Sequence, residues 1–252
     1  MTTTMPIGTS KPISAVATPT DRDFQSTWTH RAWVAIGCTS VLVCLAKSVM
    51  AASERSPVMW FVPLLAGYFG YLLMDLTSGF YHWAFDNYGD ASTPLFGSQI
   101  EAFQHHHKWP WMVTRIQFAN NIHKFARALA FVVVPIDFVS KDMVVHAFVG
   151  VYFGCIMFSL QIHAWAHGTK SRLPPLVVAL QDASVLISPS QHDHHHPPHN
   201  NSYCSVSGVW NEFLERKRVF EKLEMELFLK FGVRPRSWNE PSSDSTEEIK
   251  GD

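Results

Sequence analysis

Residues 143–167 read MVVHAFVGVYFGCIMFSLQIHAWAH, and the fold turns on how they are taken. From Met143 to Trp165 the run is apolar over roughly the 20 residues a helix needs to cross about 30 Å of hydrocarbon. It closes on HAWAH, in which His163 and His167 stand four apart and so share one helical face, a turn from each other. A membrane-length helix ending in two aligned imidazoles raises the question of where matching segments and matching ligands lie.

Three further apolar stretches answer the first half: Ala32–Ala52, Val58–His82 and Ala126–Val139. The last is short, contains Pro135, and could be re-entrant. The alternative for each is a buried helix of a soluble protein, but length and Trp/Tyr flanks favour the bilayer. Composition agrees: charged residues are 16% of the chain, against about 25% in soluble domains. The formal net charge of −1 offers no basic surface for nucleic acid. Cys38, Cys44 and Cys155 fall inside spans and Cys204 stands alone, so neither a disulfide framework nor a cysteine zinc site is implied. The expected fold is an all-α integral membrane protein of about four transmembrane helices. Residues 1–25 form an N-terminal segment whose first part is Ser/Thr-rich and free of acids, like an organelle transit sequence or a disordered tail. Residues 26–238 form the membrane domain, and 239–252 a polar, disordered tail.

Four spans put both termini on one side. Most Lys and Arg share that side, including Arg31, Lys108, Arg115, Lys124, Arg127, Lys170 and Arg172, whereas Lys47, Arg55 and Lys141 lie opposite. The positive-inside rule makes the richer side cytoplasmic or, in a plastid, stromal. Histidine segregates the same way. His82, His105, His106, His107, His123, His163, His167, His192, His194, His195, His196 and His199 share that face, while His146 lies near the opposite one and His30 precedes the first span.

Spacing turns position into chemistry. His82 and Asp86 in HWAFD repeat the i,i+4 pattern, and His192, His195 and His196 form HxxHH. Imidazole suits iron, zinc, copper and nickel, whereas calcium and magnesium prefer oxygen. Each ring needs an acceptor for its other nitrogen, and Asp86, Gln104, Asp182, Asp193 and Asn121 are available. A lone histidine is more often a surface or capping residue, which is the reading for His30 and His146. Three consecutive helical positions fan over roughly 200°, so His105, His106 and His107 cannot all face one metal pair, and His194 is crowded in the same manner. A converging set this large exceeds one zinc site of three or four ligands, so two metals are expected at one membrane face. Iron can activate dioxygen and zinc has no redox chemistry, so the pattern points to oxygen chemistry on a lipid. Spacing does not separate a desaturase from a hydroxylase.

The boxes HWAFDNYGD from His82, FQHHHKWP from Phe103, QIHAWAH from Gln161 and SQHDHHHPPHNNSYC from Ser190 resemble the lipid-desaturase family that includes Kua and plasmanylethanolamine desaturase. The likeness is greatest to its plant branch, the chloroplast fatty acid desaturase 4 type, and covers roughly residues 28–238. By this resemblance His82, His106, His107, His163, His167, His192, His195, His196 and His199 are metal ligands and Asp86 the catalytic carboxylate. Ile116 stands where the animal branch has histidine; His105 and His123 complete the candidate ligands. The resemblance further implies two iron ions, O2 as co-substrate and an acyl chain carried on a glycerolipid. In the plant branch this is phosphatidylglycerol, which gains a trans-3-hexadecenoyl chain at sn-2 in the plastid. Ferredoxin is the implied electron donor, with cytochrome b5 in its place should the protein reside in the endoplasmic reticulum.

Lys108, Arg115, Lys124 and Arg127 beside the boxes are candidates for binding an anionic lipid headgroup, or simply reflect topology. Leu173–Ile187 is too brief to span and suits an interfacial or buried helix. Residues 208–231 read as one amphipathic helix packing against the core, with Trp210, Phe213, Leu214, Phe220, Leu223, Leu227 and Phe231 on its stripe. The competing functions are an ether-lipid desaturase or hydroxylase with similar ligands, a histidine-rich metal transporter, whose ligands belong near the bilayer midplane, and a zinc hydrolase, for which HExxH is missing.

Overall fold

The structure is a computed structural model and describes residues 21–195 and 201–239. The first twenty residues, His196, His199 and the tail from residue 240 lie outside the described residues. Among the described residues the regular structure is entirely helical.

Four long helices form the bundle: α1 (Trp28–Ser53), α2 (Phe61–Asn87), α4 (Phe118–Val139) and α5 (Met143–Ala166), with the shorter α3 (Gly97–Lys108) between α2 and α4. Three segments are long and apolar enough to cross a membrane: 21–53, 57–87 and 143–166. Apolar side chains of α1 and α2 such as Leu42, Met50, Phe61, Leu64 and Phe69 point outward. Only 22% of the apolar window of the second segment is buried. A water-soluble bundle does not leave a continuous apolar belt exposed; a lipid-facing one requires it.

α4 differs from expectation. It begins at Phe118, a full two turns before the apolar stretch at Ala126, and carries Asn120, Asn121, His123, Lys124 and Arg127 in its first half. Its buried stripe packs against α1 and α5, with Ala119, Ile122, Ala126 and Leu129 around Val34, Val41 and Met157, and Val133 beside Cys44 and Val149. Helical periodicity, not a continuous apolar run, builds it, so a search for uninterrupted hydrophobicity underestimates its length.

Local chemistry sets the ends. Thr27 caps α1 by accepting from the His30 amide at 3.2 Å, and His30 stacks on His123 with centroids 3.9 Å apart. Residues 21–26 are pinned to the start of α4 by Gln117, which donates its amide to the Phe24 carbonyl at 2.8 Å and accepts from the Ser26 amide. Asp142 caps α5 by accepting from the Val144 and Val145 amides.

After α5 the chain folds over the bundle end as short α6 (Pro175–Asp182), α7 (Pro189–His192) and a 3-10 turn, Asp193–His195. The single helix expected over 208–231 is two: α8 (Asn211–Arg216) and α9 (Val219–Phe231). Arg218 at φ +51° breaks the helical path between them. Leu214 and Phe220 reach the core beside Trp83 and Tyr203, whereas Phe213 and Phe231 of the expected stripe are exposed.

Candidate metal centre

The four histidine boxes meet at one end of the bundle, and two of them divide between two ligand groups. His106, His163, His167 and His192 form the first group. Their Nε2 atoms converge: His163 to His106 is 2.8 Å, His167 to His163 is 3.2 Å and His192 to His167 is 3.0 Å. His82, Asp86, His107 and His195 form the second. Here the carboxylate of Asp86 faces Nε2 of His82 at 3.3 Å, of His107 at 3.2 Å and of His195 at 3.3 Å.

Helical geometry explains the division. His163 and His167, at the end of α5, lie four apart and stay together; His82 and Asp86, at the end of α2, do the same. His106 and His107 are adjacent on α3, so they point about 100° apart and serve different groups. His192 and His195 are parted by the switch from α7 to the 3-10 turn. The groups are neighbours, with the His82 and His163 ring centroids 5.7 Å apart and those of His192 and His195 also 5.7 Å.

Both groups have the chemistry of a metal site. A neutral imidazole offers either a proton or a lone pair at Nε2, so four converging Nε2 atoms cannot all satisfy one another, whereas a cation accepts every lone pair. In the second group the tautomers follow from the far nitrogen. His82 Nδ1 lies 3.1 Å from the Tyr203 carbonyl and His195 Nδ1 2.8 Å from that of Asn201. A carbonyl only accepts, so each Nδ1 carries the proton and each Nε2 presents a lone pair towards Asp86. Both Asp86 oxygens are buried, and the three imidazoles are what they face. Lone pairs facing a buried carboxylate repel it, and a cation held between them relieves that repulsion. Burial, with a smaller contribution from His195, pushes the His167 imidazole down to about 4, which keeps it neutral and able to ligate near neutral pH.

Other candidates lie elsewhere. His105 packs on Trp109, centroids 4.4 Å apart. His123 turns Nδ1 to the Asn120 carbonyl at 2.8 Å and stacks on His30. Among the described residues neither belongs to a ligand group. The expected side-chain acceptors are otherwise engaged: Asp182 pairs with Lys170 at 2.6 Å, Asn121 bonds Gln161, and Gln104 donates to the Phe85 and Asp86 carbonyls. For His82 and His195 backbone carbonyls orient the rings instead. Of the basic candidates, Arg115 is paired with Asp21 at 2.7 Å, while Lys108, Lys124 and Arg127 are exposed.

Two residues that matter carry no histidine signal. Asp75, fully buried in α2, accepts from the Val206, Ser207 and Gly208 amides at 3.1, 2.7 and 3.1 Å. It fixes the segment whose Tyr203 carbonyl orients His82; the signal was a lone acid in an apolar span. Gly79 allows that segment its approach, because a Cβ there would stand 2.5 Å from Cys204 Sγ.

Apolar space adjoins the ligands. A cavity of about 220 Å³ between α2, α3, α4 and α5 is lined by Met74, Tyr81, Phe103, Ile156, His82 and His163 among others. A second, of about 480 Å³, lies on the other side of Phe103 and His163, beneath Trp109 and Met112.

Membrane-type helices that gather seven imidazoles and a carboxylate into two four-ligand groups define a class, the helical membrane protein with a metal-competent histidine centre. Within that class the chain belongs to the lipid desaturase family, whose domain matches residues 71–238. It is an enzyme, an oxygen-dependent oxidoreductase of the desaturase type. It is similar to fatty acid desaturase 4, chloroplastic, of Arabidopsis thaliana, at 59% identity over 89% of this chain and 69% of the relative. It is similar to fatty acid desaturase 4-like 1, chloroplastic, of the same plant, at 53% over 91% and 78%. Plasmanylethanolamine desaturase of Myxococcus xanthus is 30% identical over 66% of this chain and 61% of the relative. No solved structure gives a significant match.

Proposed function

We propose that the protein is a di-iron acyl-lipid desaturase that introduces the trans-3 double bond into palmitate at sn-2 of phosphatidylglycerol in a chloroplast membrane. The observation that carries the reading is the pair of four-ligand groups beside apolar cavities at one end of a membrane-type bundle. The names of the plant relatives support the substrate class and the compartment.

His106, His163, His167 and His192 hold one iron; His82, Asp86, His107 and His195 hold the other, with His196 and His199 as further candidate ligands. Iron supplies redox chemistry that zinc lacks, so that O2 and two electrons from a donor such as ferredoxin, with two protons, take two hydrogens from adjacent acyl carbons and leave an alkene and two waters. The residues of the chain bind and orient. Met74, Tyr81, Phe103 and Ile156 enclose the acyl chain and exclude water. The Tyr203 and Asn201 carbonyls hold the His82 and His195 rings in the ligating tautomer. A bond near the carboxyl end suits a centre at the membrane surface, because those carbons lie shallow in the leaflet. With α4 as a fourth span, the positive-inside rule favours the stromal side for that centre, and exposed Lys108, Lys124 and Arg127 there attract an anionic headgroup.

The test is expression with ferredoxin in a host that makes phosphatidylglycerol, followed by positional analysis of acyl chains. A trans-3 bond at sn-2 of phosphatidylglycerol is expected. No new double bond with the protein folded and iron-loaded overturns the reading, and a vinyl ether in an ether lipid replaces it with the plasmanyl one.

A further inference from the structure

We infer that Cys44, Asp137 and His146 form a separate site for a divalent metal of the zinc class, at the end of the bundle away from the histidine centre. The three come from different helices: Cys44 from the second half of α1, Asp137 from the last turn of α4 and His146 from the first turn of α5. All are buried, at 0%, 7% and 1% exposure. Their ligand atoms lie within 4.8 Å of one another. Cys44 Sγ is 3.3 Å from His146 Nδ1, and His146 Nδ1 is 3.6 Å from Asp137 Oδ1. Bond lengths of about 2.3 Å to sulfur and about 2.0–2.2 Å to nitrogen and oxygen put tetrahedral zinc ligands about 3.4–3.6 Å apart. The spacing fits with little adjustment.

Protonation favours the same conclusion. His146 Nε2 lies 3.0 Å from the Ser140 carbonyl, so Nε2 carries the proton and Nδ1 turns a lone pair towards both Cys44 and Asp137. A backbone carbonyl that fixes the distal nitrogen is the usual outer support of a metal-bound histidine. Asp137 Oδ1 is buried and faces only the other two candidate ligands, Cys44 and His146, and a lone pair aimed at a buried carboxylate is costly without a cation between them. The other groups at this place do not compete for the ligand atoms. Lys47 donates to the Asp137 carbonyl rather than its carboxylate, and Ser48 donates to the Met143 carbonyl. The Cys44 thiol donates to the His146 carbonyl at 3.3 Å, a bond given up when the thiolate binds metal. One thiolate, one carboxylate and one neutral imidazole balance a divalent charge and suit a borderline metal such as zinc or cobalt. Such a metal staples α1, α4 and α5 without taking part in redox chemistry.

Co2+ added to the full-length protein in detergent tests the site, because a thiolate-to-cobalt charge-transfer band requires a cysteine ligand and neither histidine-rich group contains one. A band whose final amplitude corresponds to one cysteine-bound Co2+ per chain, that is displaced by Zn2+ and retained in His163→Ala, is expected. Cys44→Ser should remove the band, and His146→Gln, which keeps the thiol, should raise the Co2+ concentration needed for half the band by more than ~10-fold. A chain with Cys38, Cys155 and Cys204 replaced by serine should keep it, which covers the case of a misfolded Cys44 variant. No band in folded wild-type protein, or a band surviving Cys44→Ser, overturns the proposal.

Discussion

A buried imidazole is useful here only if its Nε2 keeps a lone pair, and for His82 and His195 that depends on a carbonyl oxygen at Nδ1. Removing a ligating ring should therefore differ sharply from removing a neighbour in the same box. His195→Ala and His106→Ala are expected to lower desaturation by more than ~100-fold with loss of bound iron. His105→Ala, whose ring packs on Trp109 instead, should stay within a few-fold of wild type; product analysis and iron content read both. His167 makes a pH prediction. Its folded pKa, about 4, lies below the unfolded 6.5. The unfolded chain therefore takes the proton first, so this contribution is full above pH 6.5 and is lost as pH falls towards 4. The thermal midpoint of chelator-treated protein should drop across that window, and less steeply in His167→Gln.

At the scale of elements, the centre depends on a segment with no ligand in it. Asp75 gathers three consecutive amides at 206–208 and so sets the path by which Tyr203 reaches His82. Asp75→Ala leaves two buried donors and a half-buried one without their acceptor and should cost about 2–3 kcal/mol, seen as a lower thermal midpoint and reduced iron content. Gly79→Val meets Cys204 directly and should displace the same segment, lowering metal content while the helical circular dichroism is kept. The legibility of these parts differs for physical reasons. The i,i+4 pairs in α2 and α5 are readable because local geometry alone aligns them. The separation of His106 from His107 was half-readable, since a helix must splay neighbours but does not say what each will face. His123 shows the limit of such reading: its place in the chain does not say which side chains it meets, and α4 carries it to His30. The divided 208–231 helix was not readable at all, since Arg218 adopts a left-handed conformation that arginine's own preferences do not favour.

For the whole molecule, the outward-facing apolar belt of α1 and α2 and the mixed polarity of α4 make a topology prediction. Cysteine placed at Lys141, in the exposed turn between α4 and α5, should react from the side opposite to cysteine placed at exposed Lys222 on α9. Labelling of both from one side would mean that α4 and α5 do not both cross. The bundle also joins its two ends: α4 and α5 carry Asp137 and His146 at one and His163 at the other, so a metal at the first would restrain the helices that frame the second.

The sequence by itself determined the class, because apolar length and histidine spacing are properties of single helices and need no partner to be read. It also raised the expectation of one shared face for the histidine boxes, since four alternating spans would require that order. Only the tertiary structure decided which histidine joins which group, that Asp86 faces three imidazoles, and that backbone carbonyls rather than carboxylates orient His82 and His195. Those outcomes depend on where distant segments of chain meet, and no local spacing encodes the meeting of α2, α3, α5 and α7 at one point.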